Sequence, residues 1–220
     1  NDALMVTLLN RTQNNMHIYR VNPADGSATD VYCETSKSWI DSELANSVTY
    51  GESTFVIPSE RSGWAHLYEY TLDGKLLRQL TKGNEAITAY YGYDAKHRLH
   101  YYQRTAGALN RVVACVDEKG SEKVLGKQQG NTSARFNSDF SYYIEVFSDA
   151  KTPTQYRVCK ASGKRVRDLQ LNGDYAQKYS AERVPQREFF TFNNDGYDLN
   201  GYVIKPLDFN KSKKYPVIMS

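Results

Sequence analysis

Cysteine is scarce in this sequence, and what there is lies scattered. Cys33, Cys115 and Cys159 form no Cys-x-x-Cys pair, and the four histidines, His17, His66, His97 and His100, do not gather beside them. That spacing excludes the ligand patterns of a structural zinc, and an odd count excludes a complete disulfide framework. No metal and no cofactor is expected. Long apolar runs are missing too: nothing approaches the roughly 20 residues that a membrane-spanning helix needs. The N-terminal "NDALMVTLLN" has no basic segment and no small-residue cleavage site. Basic clusters are also absent. Lys and Arg number 28 against 25 Asp and Glu, a net charge of +3, and Lys213-Lys214 is as long as a lysine run becomes. This excludes nucleic acid as a partner on electrostatic grounds. Finally, there is no Gly-x-Ser-x-Gly, the strand-to-helix elbow that exposes a nucleophilic serine. No catalytic residue is assigned, and these residues alone are expected to be inactive.

Tyrosine, by contrast, is abundant at 18 residues, and it favours strands and half-buried faces. Four segments repeat: "NNMHIYRVNPADGSATDVY" (Asn14–Tyr32), "GWAHLYEYTLDGKLLRQLT" (Gly63–Thr81), "ALNRVVACVDEKGSEKVLG" (Ala108–Gly126) and "TPTQYRVCKASGKRVRDLQ" (Thr152–Gln170). Each reads as strand, turn, strand. The turn glycines Gly26, Gly74, Gly120 and Gly163 are spaced 48, 46 and 43 residues apart. Asp25-Gly26 and Asp73-Gly74 are hairpin signals, because a tight primed turn needs positive φ. Further strands are expected at Ser53–Glu60, Ala86–Asp94, Arg98–Thr105 and Ser141–Ser148. Four strands per period of this length make a β-propeller blade. The fold class is therefore all-β, built of four-stranded antiparallel blades. Cys115 and Cys159 fall at similar places in successive repeats and read as small apolar residues packed between sheets.

After "RDLQLNGD" the repeat stops. Tyr175–Gln186 is polar and reads as a linker or a short helix. A hairpin turning at Asp195-Gly196 follows, with no copy one period behind it. "YPVIM" (Tyr215–Met219) reads as a strand entering a buried sheet. These changes divide the chain near residue 180, into blades over 1–180 and a linker with the first strands of another domain over 181–220.

The stretch "EFFTFNNDGYDLNGYVIKPLDFNKSKKYPVIMS" resembles the junction between propeller and hydrolase domain in serine peptidases of the prolyl oligopeptidase family. "FNKSKKYP" and "SERSGWAHLYEY" (Ser59–Tyr70) resemble the dipeptidyl peptidase IV subgroup, and Trp39 stands where that subgroup carries a tryptophan. The resemblance implies that the C-terminal tail begins an α/β-hydrolase domain. It implies a serine exopeptidase that releases N-terminal Xaa-Pro or Xaa-Ala dipeptides through an acyl-enzyme, with the propeller gating and helping to bind peptide substrates. The other partners implied are the hydrolase domain and a second copy in a homodimer, and the compartment implied is extracytoplasmic. Tripeptidyl or acyl-aminoacyl specificity within the family stays open. So does a propeller that only binds or scaffolds, or a family member with an inactive hydrolase domain, since fold alone does not imply activity.

Two departures bear on the site. The subgroup captures the substrate's amino terminus with adjacent glutamates, and no Glu-Glu pair occurs here. Its arginine and phenylalanine after the tryptophan are also absent, the loop reading "IDSELANS". No substrate-binding residue is transferred. Glu60 and Arg61 read either as a charged pair lining the propeller tunnel or as solvated turn charges, with solvation favoured. Trp64, Tyr68 and Tyr70 read as blade-to-blade packing rather than a ligand shelf. His66 reads as structural, and His97 and His100 as solvent-exposed.

Overall fold

The computed structural model describes residues 3–126, 129–182 and 184–219. Its first sheet holds β1 (Leu4–Leu9), β2 (Asn15–Val21) and β3 (Ala28–Thr35), in that order and antiparallel. Helix α1 (Ser42–Asn46) leads into a second sheet of β4 (Thr49–Tyr50), β5 (Thr54–Ser59), β6 (His66–Thr71) and β7 (Leu76–Gln79). Two further four-stranded units follow. One is β8 (Ile87–Asp94), β9 (Leu99–Ala106), β10 (Asn110–Asp117) and β11 (Glu122–Leu125). The other is β12 (Asn131–Phe136), β13 (Tyr142–Ser148), β14 (Gln155–Lys160) and β15 (Arg165–Gln170). A single parallel pair, Arg111 with Asn131, joins the two into one continuous sheet.

The strands expected within the blades all form, with ends shifted by a residue or so. The glycines of the repeat turn the β2–β3, β6–β7, β10–β11 and β14–β15 hairpins, with φ of +73°, +89°, +87° and +88°. At Gly74 the requirement is also steric. A Cβ there would lie 2.3 Å from the carbonyl oxygen of Val31, in the neighbouring sheet.

The core lies between sheets rather than within any one of them. Met16, Ile18 and Tyr32 of the first sheet pack on Phe55, Ile57, Tyr68 and Tyr70 of the second. Val56 and Leu67, from the opposite face of the second, pack on Tyr102, Ala114 and Val116 of the third. Tyr101, Val113 and Cys115 then meet Tyr143 and Cys159 of the fourth. A middle sheet is thus covered on both faces, so β5 is buried almost end to end instead of alternating. Cys115 and Cys159 are buried as expected, whereas Cys33 is exposed.

Beyond the sheets, α2 (Gly173–Ala181) takes the helical alternative for the polar segment. Strands β16 (Arg187–Asn194) and β17 (Tyr197–Ile204) pair with each other, turning at Asp195 (φ +50°) and Gly196 (φ +85°). Positive φ at both central residues is the type I′ geometry that Asp-Gly favours. The strand expected at Tyr215–Met219 does not form: the segment is irregular, and Val217, Ile218 and Met219 are 81%, 96% and 91% exposed. An apolar run becomes a strand only where another strand completes its ladder, and none lies beside this one among the described residues.

Candidate functional site

Where the first and second sheets meet, a cleft of about 340 Å³ opens between the end of β3, the Ser36–Asp41 loop and the β5–β6 turn. Trp39 forms one wall. Its backbone N–H donates to Ser36 Oγ (3.2 Å) and its Nε1 donates to Gln13 Oε1 (2.8 Å), which holds the half-exposed indole in place. Asp41, also on the lining, accepts from the Glu43 N–H at 2.8 Å and so starts α1. Here the "IDSELANS" segment is a short helix.

Arg61 forms the opposite wall and is tied into the seam. Its Nε donates to Ser59 Oγ (2.9 Å), its Nη1 to Tyr70 OH (2.7 Å) and its Nη2 to Tyr32 OH. The same Nη2 lies 3.4 Å from Glu34 Oε2. Glu34, only 11% exposed along its side chain, also accepts from Ser59 Oγ (2.6 Å) and from Tyr32 OH. The guanidinium carbon sits 4.7 Å from the ring centre of Tyr68 and 5.3 Å from that of Tyr32. Burial, and after it the Glu34 charge, pushes the Tyr32 hydroxyl up. Burial raises Tyr70 as well. Both phenols therefore remain protonated donors or neutral acceptors around the ion pair.

This corrects the reading of Arg61 as a solvated turn charge: it clamps two sheets. Glu60, its sequence neighbour, stays exposed. Tyr68 and Tyr70 pack between sheets as expected, but Trp64 is 43% exposed and takes no part in that packing. Glu34 and Tyr32 escaped the sequence reading, because their only link to Arg61 is through space across 27 and 29 residues.

The histidines are all occupied. His66 is buried, with Nδ1 3.2 Å from Thr81 Oγ1 and Nε2 3.1 Å from the Gly83 carbonyl, a structural role as expected. His97 Nδ1 lies 2.6 Å from Asp94, and His17 Nδ1 lies 2.6 Å from Asp30. His100 corrects the expectation of exposure: it is 1% exposed, 2.8 Å from Tyr90 OH, and burial lowers its pKa to about 4. None of these partners is a serine. Among the described residues no group of His, Cys, Asp and Glu could hold a metal ion.

Antiparallel sheets of three or four strands, stacked face to face at a regular period, define this chain as a run of β-propeller blades. More narrowly, the chain belongs to the family described as the dipeptidyl peptidase IV (DPP IV) N-terminal region, whose model matches residues 1–154. It is 30% identical over 230 aligned residues to the dipeptidyl peptidase 4 of Arthroderma otae, covering 100% of this chain and 30% of that protein. The corresponding figure for the Trichophyton rubrum dipeptidyl peptidase 4 is 29%. The crystal structure of Porphyromonas gingivalis dipeptidyl peptidase 4 superposes with a TM-score of 0.92 at 32% identity, over 98% of this chain and 31% of that one. The chain thus spans about 30% of the length of the curated relatives it matches.

Proposed function

We propose that these residues are the non-catalytic propeller part of a serine exopeptidase resembling dipeptidyl peptidase IV. The parent releases N-terminal Xaa-Pro or Xaa-Ala dipeptides through an acyl-enzyme formed in a hydrolase domain, whose first strands begin after about residue 180. One observation carries the reading: the likeness to curated dipeptidyl peptidases runs over the whole of this chain, hairpin and tail included. The arrangement of the histidines agrees with it, since each is engaged by a group other than a nucleophilic serine.

In this reading the propeller admits peptides by size, and the cleft between Trp39 and Arg61 is its contact with the peptide. An indole face offers apolar area at small entropic cost, and a clamped Arg61 keeps the opposite wall from collapsing. An extracytoplasmic location belongs to the same reading, as does a homodimer.

The test is hydrolysis of glycyl-prolyl p-nitroanilide by protein expressed from the complete coding region, alongside residues 1–220 alone. Turnover by the former and none by the latter is expected. Absence of turnover from the complete protein contradicts the exopeptidase reading. Turnover by residues 1–220 contradicts the non-catalytic one.

A further inference from the structure

Behind the Trp39 wall, off the lining of the cleft, the β1–β2 turn holds one residue in an unusual backbone conformation. Gln13 stands at φ +53°, the left-handed region that a residue with a Cβ seldom occupies. The turn closes where the Gln13 N–H donates to the Asn10 carbonyl at 2.9 Å. The corresponding β5–β6 turn of the second sheet has the same bond, from the Gly63 N–H to the Glu60 carbonyl at 2.8 Å. There the positive-φ position is glycine. A side chain at this place is therefore no requirement of the turn. In the first sheet the residue grips the Trp39 loop twice. The Gln13 carbonyl accepts the Ile40 N–H at 2.6 Å, and its Oε1 accepts the Trp39 Nε1–H at 2.8 Å. An indole nitrogen only donates, so the amide oxygen is the atom that faces it. Asn10 keeps the turn in shape: its Oδ1 accepts the N–H groups of Asn14 and Asn15 at 2.9 and 3.0 Å, and its Nδ2 donates to Asn14 Oδ1 at 2.8 Å. Backbone held in a sparsely populated region by its surroundings gathers at functional sites.

We propose that Gln13 is a positioning residue for peptide binding, which fixes the Trp39 indole as a wall of the cleft and acts only through it. The proposal rests on the reading of that cleft as the peptide contact. Without an acceptor for Nε1 the half-exposed ring turns about its side-chain bonds, and a peptide must then order it on binding. The loss falls on KM rather than kcat, because an ordered wall serves bound substrate and transition state equally.

The test uses protein from the complete coding region and a hexapeptide beginning Gly-Pro. Gln13→Met and Gln13→Glu share the backbone strain and the approximate length of glutamine, and differ in the acceptor. Gln13→Met is expected to raise KM about threefold to fivefold with kcat within about twofold, and Gln13→Glu to keep the native KM. In a Trp39→Ala background Gln13→Met should add nothing. Gln13→Gly removes the same acceptor while relaxing the backbone, and takes the place of Gln13→Met if that variant does not fold. A KM within about 1.5-fold of native for the variant without an acceptor overturns the proposal. So does a Gln13→Glu as impaired as Gln13→Met, or an effect that persists without Trp39. An unchanged KM in Trp39→Ala overturns the contact itself, and the proposal with it. A measurement without substrate separates the two failures. In protein labelled with 5-fluorotryptophan, the fluorine resonance that Trp39→Phe removes should move in Gln13→Met, and a resonance that stays in place overturns the positioning.

Discussion

Replacing Arg61 with alanine should unlock the seam between the first and second blades. The substitution deletes hydrogen bonds to Ser59, Tyr70 and Tyr32 and withdraws the cation from Glu34, whose side chain is only 11% exposed. Stranding one partner of a fully buried ion pair costs about 3–5 kcal/mol. Arg61 itself is about a third exposed, so water recovers part of that and about 2–3 kcal/mol is expected. Arg20 is the control, because its pair with Asp73 is open to solvent at 43% and 79% and should contribute at most about 1 kcal/mol. Urea unfolding followed by near-UV dichroism, which reports the tyrosines packed at this seam, measures both variants. Adding Glu34→Gln to Arg61→Ala should recover about 1–2 kcal/mol, since the stranded charge is then gone. If Arg61→Ala falls within about 0.5 kcal/mol of Arg20→Ala, the clamp contributes nothing and the reasoning fails.

Other consequences follow from the same geometry. His100 is held neutral with a pKa of about 4 against 6.5 in an unfolded chain. The unfolded state therefore binds more protons between those values, and stability should fall by about 3 kcal/mol as pH drops through that window. His100→Gln should remove this slope in a pH series of urea midpoints; an unchanged slope contradicts the burial argument. The Arg98 hydrogen bond foremost holds Glu118 at about 2, so its contribution is present above the ordinary 4.5 and lost as pH falls from there through about 2. Gly26→Ala places a side chain at positive φ in open space and should cost about 1–2 kcal/mol. Gly74→Ala also meets the Val31 backbone and should exceed that by about 2 kcal/mol or fail to fold. Equal midpoints for the two would show that the sheets yield there. In the complete enzyme, Trp39→Ala should raise KM for longer peptides by about tenfold with little change in kcat, the mark of lost uniform binding. An unchanged KM removes Trp39 from the peptide's path.

Much of the architecture was legible in the sequence because the repeat writes itself in turn chemistry. Positive φ at Gly26, Gly74, Gly120 and Gly163 is a local demand, and the spacing of those demands is the blade period. The hairpin at Asp195-Gly196 is legible for the same reason. The clamp was not, because Glu34 and Arg61 meet only when two sheets stack. His100 misled because alternation shows which residues share a face without showing whether that face is covered. In the third blade both faces are: Tyr101 turns to the fourth sheet while Tyr102 turns to the second. "YPVIM" looked like a strand because its residues favour one, yet a strand is a relation between two segments and not a property of one.

In the proposed function, this propeller serves a peptidase whose reacting serine lies outside residues 1–220. A fluorophosphonate that labels active serines, applied to protein from the complete coding region and mapped by peptide mass spectrometry, tests it most directly. Labelling of one serine outside residues 1–220, with parallel loss of glycyl-prolyl p-nitroanilide hydrolysis, is the predicted result. Labelling inside residues 1–220, or hydrolysis that persists when every reactive serine is blocked, would contradict it.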